Sequence, residues 1–177
     1  MARRLHIGGE IRKDGWEVLN VQPGAHVDHV GNARDLGQFA DGTFAEVYAS
    51  HILEHLDYKD ELQAALREWC RVLEPGGRVC ISVPDMDMLA MMFVAKDQLD
   101  TQERFFVMRM MFGGHVDKWD YHVVGLNEEF LGEFLEGAGF ENVQRVQGFG
   151  LFEDTSNMLF RGVSISLNVT AEKPRRA

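Results

Sequence analysis

The 177-residue sequence predicts an α/β fold: a doubly wound, mostly parallel sheet of about seven strands, with an antiparallel pair at one edge. Three observations lead there. Short apolar runs separated by Gly and Pro turns fill the first fifty residues. The hydrophobic period then switches to that of a helix between Asp60 and Leu73. Near the end, two strand-like runs follow one another with no helical pattern between them.

In chain order, Arg4-Leu5-His6-Ile7 is a strand stopped by Gly8-Gly9. Trp16 to Val21 is a second, ended by Gln22-Pro23-Gly24, and Val27 to Val30 a short third. Thr43 to Ala49 alternates as a fourth strand after the turn Asp41-Gly42. Leu62, Ala65, Leu66, Trp69, Val72 and Leu73 recur at three and four, marking an amphipathic helix. Glu74-Pro75-Gly76-Gly77 ends that helix, because proline cannot continue it and glycine accepts a left-handed exit. Arg78 to Val83 is the fifth strand. A second strong helix runs from Asn127, its N-cap, to Ala138, with Gly139 as the stop. Val143 to Val146 and Val163 to Thr170 close the sheet.

Composition narrows the function classes. An apolar fraction of 45% with 26% charged residues belongs to a packed globular chain. A net charge of −10 disfavours a general nucleic-acid or anionic-membrane binder, which needs clustered Lys and Arg. The basic residues at the two ends, Arg3, Arg4, Lys173, Arg175 and Arg176, read as solvated tails. Cys70 and Cys80 lie in apolar-periodic segments without metal spacing and read as reduced core thiols. No 18-residue apolar run and no secretory leader pattern is seen, so a cytoplasmic location is expected.

In such sheets the ligand crevice lies at the carboxyl ends of the strands. Four blocks at these ends carry a resemblance to a known family. They are Leu5-His6-Ile7-Gly8-Gly9-Glu10 with Asp14-Gly15-Trp16, Asn32-Ala33-Arg34-Asp35-Leu36, Asp41 to Leu56, and Arg71-Val72-Leu73-Glu74-Pro75-Gly76-Gly77-Arg78. Together with the closing strand, they make nearly the whole chain similar to the class I S-adenosylmethionine-dependent methyltransferases, in particular their short predicted group. The resemblance implies a Rossmann-like methyltransferase fold over residues 1–177 as one domain, with a helical lid over about 86–126. It implies S-adenosylmethionine as cofactor and a small-molecule or saccharide acceptor. By the same likeness, Gly8 and Gly9 form the turn under the cofactor and Asn20 stands at the ribose. Asn32 and Ala33 lie near the adenine, and Ser50 and His51 face the methionine part.

The departures from the family pattern are localised. Glu10 replaces a second glycine, and Asn20 and Asn32 replace two acids. An amide still hydrogen-bonds a hydroxyl, without the strength of a carboxylate. Only about eight residues separate Gly9 from the second strand, against the dozen or so of a helical crossover, so this connection is expected to be a loop. These departures support an alternative, a non-catalytic methyltransferase-like binding or scaffolding protein that has lost the cofactor. A dinucleotide enzyme is disfavoured, since the Gly-x-Gly-x-x-Gly spacing is absent.

Methyl transfer depends mainly on placing the acceptor in line with the methyl group, with a base only where the acceptor must lose a proton. His51, His55 and His115 are the candidates for that base. His51 and His55 share a helical face, but no third ligand is apparent nearby and no metal site is expected. Asp85 and Asp87 are read as caps of a helix starting at Met86. Seven of the nine methionines fall between Met86 and Phe112, with four phenylalanines. That segment packs on the core or offers a homodimer surface. The loop from Gly113 to His122 is a substrate-loop candidate or simply an ordered loop with satisfied histidines, and Phe152 to Ser156 reads as another surface loop.

Overall fold

The computed structural model describes residues 2–175; Met1, Arg176 and Ala177 lie outside the described residues, and with Arg176 part of the expected basic tail. Strands β1 (Arg4–Ile7), β2 (Glu17–Asn20), β3 (His29–Val30), β4 (Phe44–Ser50) and β5 (Leu73–Pro84) come first. Strands β6 (Glu141–Val146), β7 (Leu159–Phe160), β8 (Val163–Ser164) and β9 (Ser166–Glu172) follow. The helices are α1 (Glu61–Val72), α2 (Met86–Val94), α3 (Thr101–Phe112) and α4 (Glu128–Gly137), with short 3₁₀ turns at Leu53–His55 and Thr155–Asn157.

Seven strands form one sheet in the order β3-β2-β1-β4-β5-β9-β6. The first five pair in parallel, and β9 runs antiparallel between β5 and β6, which makes the expected antiparallel edge. The single closing run expected over Val163 to Thr170 is split: β8 turns away to pair with β7, and β9 starts at Ser166. The first crossover, residues 8–16, contains no helix, and neither do the connections to β3 and β4.

Alternation within the strands sorts the two sheet faces. Leu5, Ile7, Val47, Ala49, Val79, Ile81, Val83, Leu167 and Val169 all enter one core, packed against Leu62, Leu66 and Trp69 of α1 and Leu131 and Leu135 of α4. Each such large apolar side chain contributes about 1.5–3 kcal/mol on burial. The opposite face carries His6, Tyr48, Cys80 and Asn168, and its cover is the segment around Phe149, Leu151 and Phe152. There the Tyr48 hydroxyl donates to Asp154 at 2.7 Å, and Asn168 donates to the carbonyls of Gln147 and Ser156.

The helix-to-strand turn is built differently from a free loop. After α1 ends at Val72, Leu73 already pairs with Phe44, and the Glu74–Gly77 stretch bulges before pairing resumes at Arg78. Lys173, expected in a solvated tail, instead donates its ammonium to the carbonyls of Arg71 and Leu73 and satisfies the end of α1. Arg3 likewise forms a two-bond pair with Glu17. Cys70 and Cys80 are free and buried.

Asp85 caps α2 by accepting from the Met88 amide, and Asn127 caps α4 by accepting from Phe130. Asp87 takes a bond from the Asn127 side chain instead. Leu89, Met92, Leu99 and Val107 bring α2 and α3 together over Ile165, while Met91, Phe93, Phe105 and Phe112 remain exposed. Among the described residues no helix is long and apolar enough to cross a membrane.

Candidate active site

A cleft of about 490 Å³ opens at the carboxyl ends of β1, β2 and β3. Its walls include Gly8, Asn20, Asn32 and Ala33 from the strand ends, and Asp117 to Asp120 from the loop opposite. Leu19, Val21, Ile52, Leu56 and Trp119 supply apolar surface. This size and mixed lining suit a ligand of nucleoside dimensions.

Local sequence explains the walls. Gly8 has φ +73°, and a Cβ there would meet Ile52 Cδ1 at 2.1 Å. Asn20 donates its amide to the Gly9 carbonyl at 3.1 Å and accepts from the Gln22 amide at 2.9 Å. The Asn32 oxygen accepts from the Arg34 amide at 3.0 Å, holding the turn after β3. Trp69, fully buried, donates to the Ala33 carbonyl at 2.8 Å. Arg71 reaches the carbonyls of Leu36 and Phe39 as well as Asp41 and Glu68, so that one guanidinium organises the loop before β4.

A methyltransferase-domain family model matches residues 13–81, which carry β2 to β5 and much of this cleft. Solved structures share the fold over almost the whole chain. One is described as a possible exported protein from Bordetella parapertussis, with TM-score 0.63, 12% identity, and 98% of this chain but 62% of that chain covered. A S-adenosylmethionine-dependent methyltransferase from Archaeoglobus fulgidus gives TM-score 0.61 and 18% identity over 97% of this chain and 86% of its own. The 1,6-didemethyltoxoflavin-N1-methyltransferase of Burkholderia thailandensis, solved with S-adenosylhomocysteine, gives TM-score 0.59 and 17% identity over 98% and 71%. This chain has the fold of the S-adenosylmethionine-dependent methyltransferases, and its first half is similar to their methyltransferase domain. It spans less than two-thirds of the Bordetella protein's length. No curated protein sequence matches it.

In this methyltransferase-like chain a second cavity of about 240 Å³ adjoins the cleft. Pro84, Phe106, Met110 and Ile165 make it largely apolar, and His51 and His122 add polar groups. Asp120 lines both spaces. Its carboxylate accepts from the Val116 amide, and its carbonyl accepts from the His115 amide. Burial raises the Asp120 carboxyl, but backbone donors from Val116 and Gly114 with His122 and His55 nearby hold it below the usual range.

The wall between the two spaces is the turn after β4. His51, in the left-handed region at φ +56°, redirects the chain, and its amide donates to the Ser82 carbonyl at 2.8 Å. The Glu54 carbonyl accepts from the amides of Val123 and Val124, stitching this turn to the loop before α4. Glu54 is 1% exposed. Desolvation pushes its carboxyl up, yet His51, His55 and His122 outweigh this and hold it below the usual carboxylate range.

The expected site residues thus separate in space. Gly8, Asn20, Asn32 and Ala33 line the cleft, and Gly9 lies behind it through its bond to Asn20. His55 is on the cleft wall, whereas His51 faces the second cavity. Ser50, at the end of β4, has a buried hydroxyl away from both linings. His115 stacks on Tyr121 with centroids 4.1 Å apart and bonds the Phe112 carbonyl. The spacing of His51 and His55 gave no sign of Glu54 as a buried carboxylate, nor of its approach to His122.

Proposed function

We propose that the chain is a S-adenosylmethionine-dependent methyltransferase acting on a small acceptor held in the apolar cavity. The observation that carries this reading is the contact between the two spaces: a nucleoside-sized cleft at the strand ends and an apolar cavity share Asp120 and the His51–His55 turn as a common wall. The residues fit the cofactor. Asn20, Gln22 and Asn32 offer amides for ribose and base, apolar Leu19, Ile52 and Leu56 flank them, and Gly8 keeps the floor free of a side chain. The carboxylates of Glu10, Asp117 and Asp120 suit a ligand with sulfonium and ammonium charges.

When bound, the cofactor supplies an electrophilic methyl group. The protein's part is to hold the acceptor in line and keep water out, which is where most of the rate gain in such a transfer arises. Where the acceptor must lose a proton, His55 on the cleft wall and His51 on the cavity wall are the candidate bases, and His115 is farther along the same loop system. The segment of α2, α3 and the following loop, residues 86–126, serves as the lid over the acceptor.

Isothermal titration with S-adenosylmethionine and S-adenosylhomocysteine tests the reading. A dissociation constant at or below roughly 100 µM is expected, equivalent to about −5.5 kcal/mol. No heat and no thermal shift at millimolar ligand would overturn it. The specific observation favouring the alternative, a binding protein without the cofactor, is that the Asn20 amide is already engaged by the chain itself.

A further inference from the structure

The turn after β4 sets the buried Glu54 carboxylate among three histidine rings. The Ser166 hydroxyl gives its single proton to the Thr155 carbonyl at 3.0 Å, so it accepts from His51 Nε2 at 3.0 Å. His51 Nε2 therefore carries a hydrogen, and its Nδ1 lies 3.1 Å from Glu54 Oε1. His55 Nδ1 lies 3.1 Å from the Tyr121 carbonyl, which can only accept, so Nδ1 carries a hydrogen and the carbonyl fixes the ring. His122 Nε2 lies 4.0 Å from the same Glu54 oxygen. Apart from these imidazoles, no hydrogen-bond partner reaches either carboxylate oxygen of Glu54, buried at 1% exposure, among the described residues. A buried carboxylate is costly unless positive charge joins it.

We propose that Glu54, His55 and His122 bind a divalent transition-metal ion of the zinc type. Each offers one ligand atom, and the three atoms lie within 4.8 Å of one another. Two imidazoles and one carboxylate are a donor set suited to Zn²⁺, whose bonds of about 2.0–2.2 Å need only small side-chain movements from this spacing. The contacts that would hold the ligands are already in place. The Tyr121 carbonyl fixes the His55 ring with Nε2 free to coordinate, as metal-bound histidines require. The backbone bonds from Val123 and Val124 to the Glu54 carbonyl hold the two ligand-bearing segments together. Three protein ligands leave a fourth tetrahedral position; of the ligands, His55 lines the cleft and His122 the second cavity. An acceptor hydroxyl or amine in that cavity would find a Lewis acid beside it. The sequence led us to expect no metal; the third ligand is supplied by the tertiary fold.

The test uses the tag-free, full-length protein, with neither S-adenosylmethionine nor S-adenosylhomocysteine present, so that its outcome is separate from that of cofactor binding. Titration with Zn²⁺ is expected to give saturable one-to-one binding, weakened at least about tenfold in both His55→Gln and His122→Gln. Co²⁺ is expected to give the intense visible bands of a tetrahedral nitrogen–oxygen site. This spectrum is read on the wild-type chain and stays informative should a variant fail to fold. No saturable binding at millimolar Zn²⁺ overturns the proposal. Binding that survives either substitution unchanged, or a weak octahedral Co²⁺ spectrum, overturns it as well.

Discussion

Asn20 donates its side-chain amide to the Gly9 carbonyl, tying the end of β2 to the glycine turn after β1 across 3.1 Å. A carboxylate at this position has no hydrogen to give at neutral pH. The amide that looks like a loss on the cofactor side is therefore part of the turn's own structure. Asn20→Asp is expected to lower stability by about 1 kcal/mol at pH 7, the usual net value of one hydrogen bond. Urea unfolding of the variant checks this. An unchanged or raised midpoint would show that the bond contributes nothing.

Arg71 holds four groups at once. Its guanidinium bonds the Leu36 and Phe39 carbonyls, Asp41, and both oxygens of Glu68. Hydrogen bonds donated to Glu68 and Asp41 raise its pKa further, so it stays charged at every pH of interest. Lysine lacks the planar fork and cannot reach all of these acceptors. We expect Arg71→Lys to cost about 1–3 kcal/mol and to speed amide exchange in residues 36–43. Hydrogen-exchange mass spectrometry, with urea unfolding alongside, measures both effects.

His6 gives the fold a distinct acid limb. Its ring is buried against Tyr48 and Phe152, and burial pushes its pKa down to about 4, with Asp154 opposing. The unfolded chain takes up a proton near pH 6.5, while the folded chain does not until about pH 4. Stability is therefore full above pH 6.5 and falls toward pH 4, by about 1.4 kcal/mol per pH unit for one proton. Glu17, held down to about 2 by Arg3 and His29, acts in a lower window and does not confuse the reading. Urea midpoints measured from pH 7 to pH 4.5 are expected to fall more steeply in the wild type than in His6→Leu. Equal slopes would remove His6 as the cause.

Gly113 is a fixed point of the loop that closes both spaces. Its φ is +89°, and a Cβ there would come within 2.5 Å of the Asp120 carbonyl oxygen. Gly113→Ala combines backbone strain with a clash against backbone, so we expect it to destabilise by more than about 1 kcal/mol. The loop 113–120 should open, seen as faster limited proteolysis there than in the wild type. Gly132→Ala is the control, because its Cβ would have open space and a helix prefers alanine.

Much of this architecture was legible in the sequence. The 3.6-residue stripe from Leu62 to Val72 is the face of α1 that packs on the sheet, and β1 has the bounds its apolar run gives. The helix-free first crossover followed from chain length alone. Local patterns of this kind are strong because burial acts on neighbouring residues together. Weaker signals sat where pairing partners are distant. Ile165 separates β8 from β9 inside one apolar run, and Lys173 satisfies carbonyls at the end of α1, far back in the chain.

The candidate site divides along the same line. Sequence by itself determined the fold, the strand ends that bear Gly8, Asn20 and Asn32, and the pairing of His51 with His55 on one turn. Only the tertiary structure set Glu54 among three imidazoles, because His122 arrives from a loop whose path depends on Gly113, Asp120 and the backbone bonds at Val123 and Val124. The physical reason is that the charge state of a buried carboxylate depends on its neighbours in space, and these neighbours come from separate segments that meet only when the chain has folded.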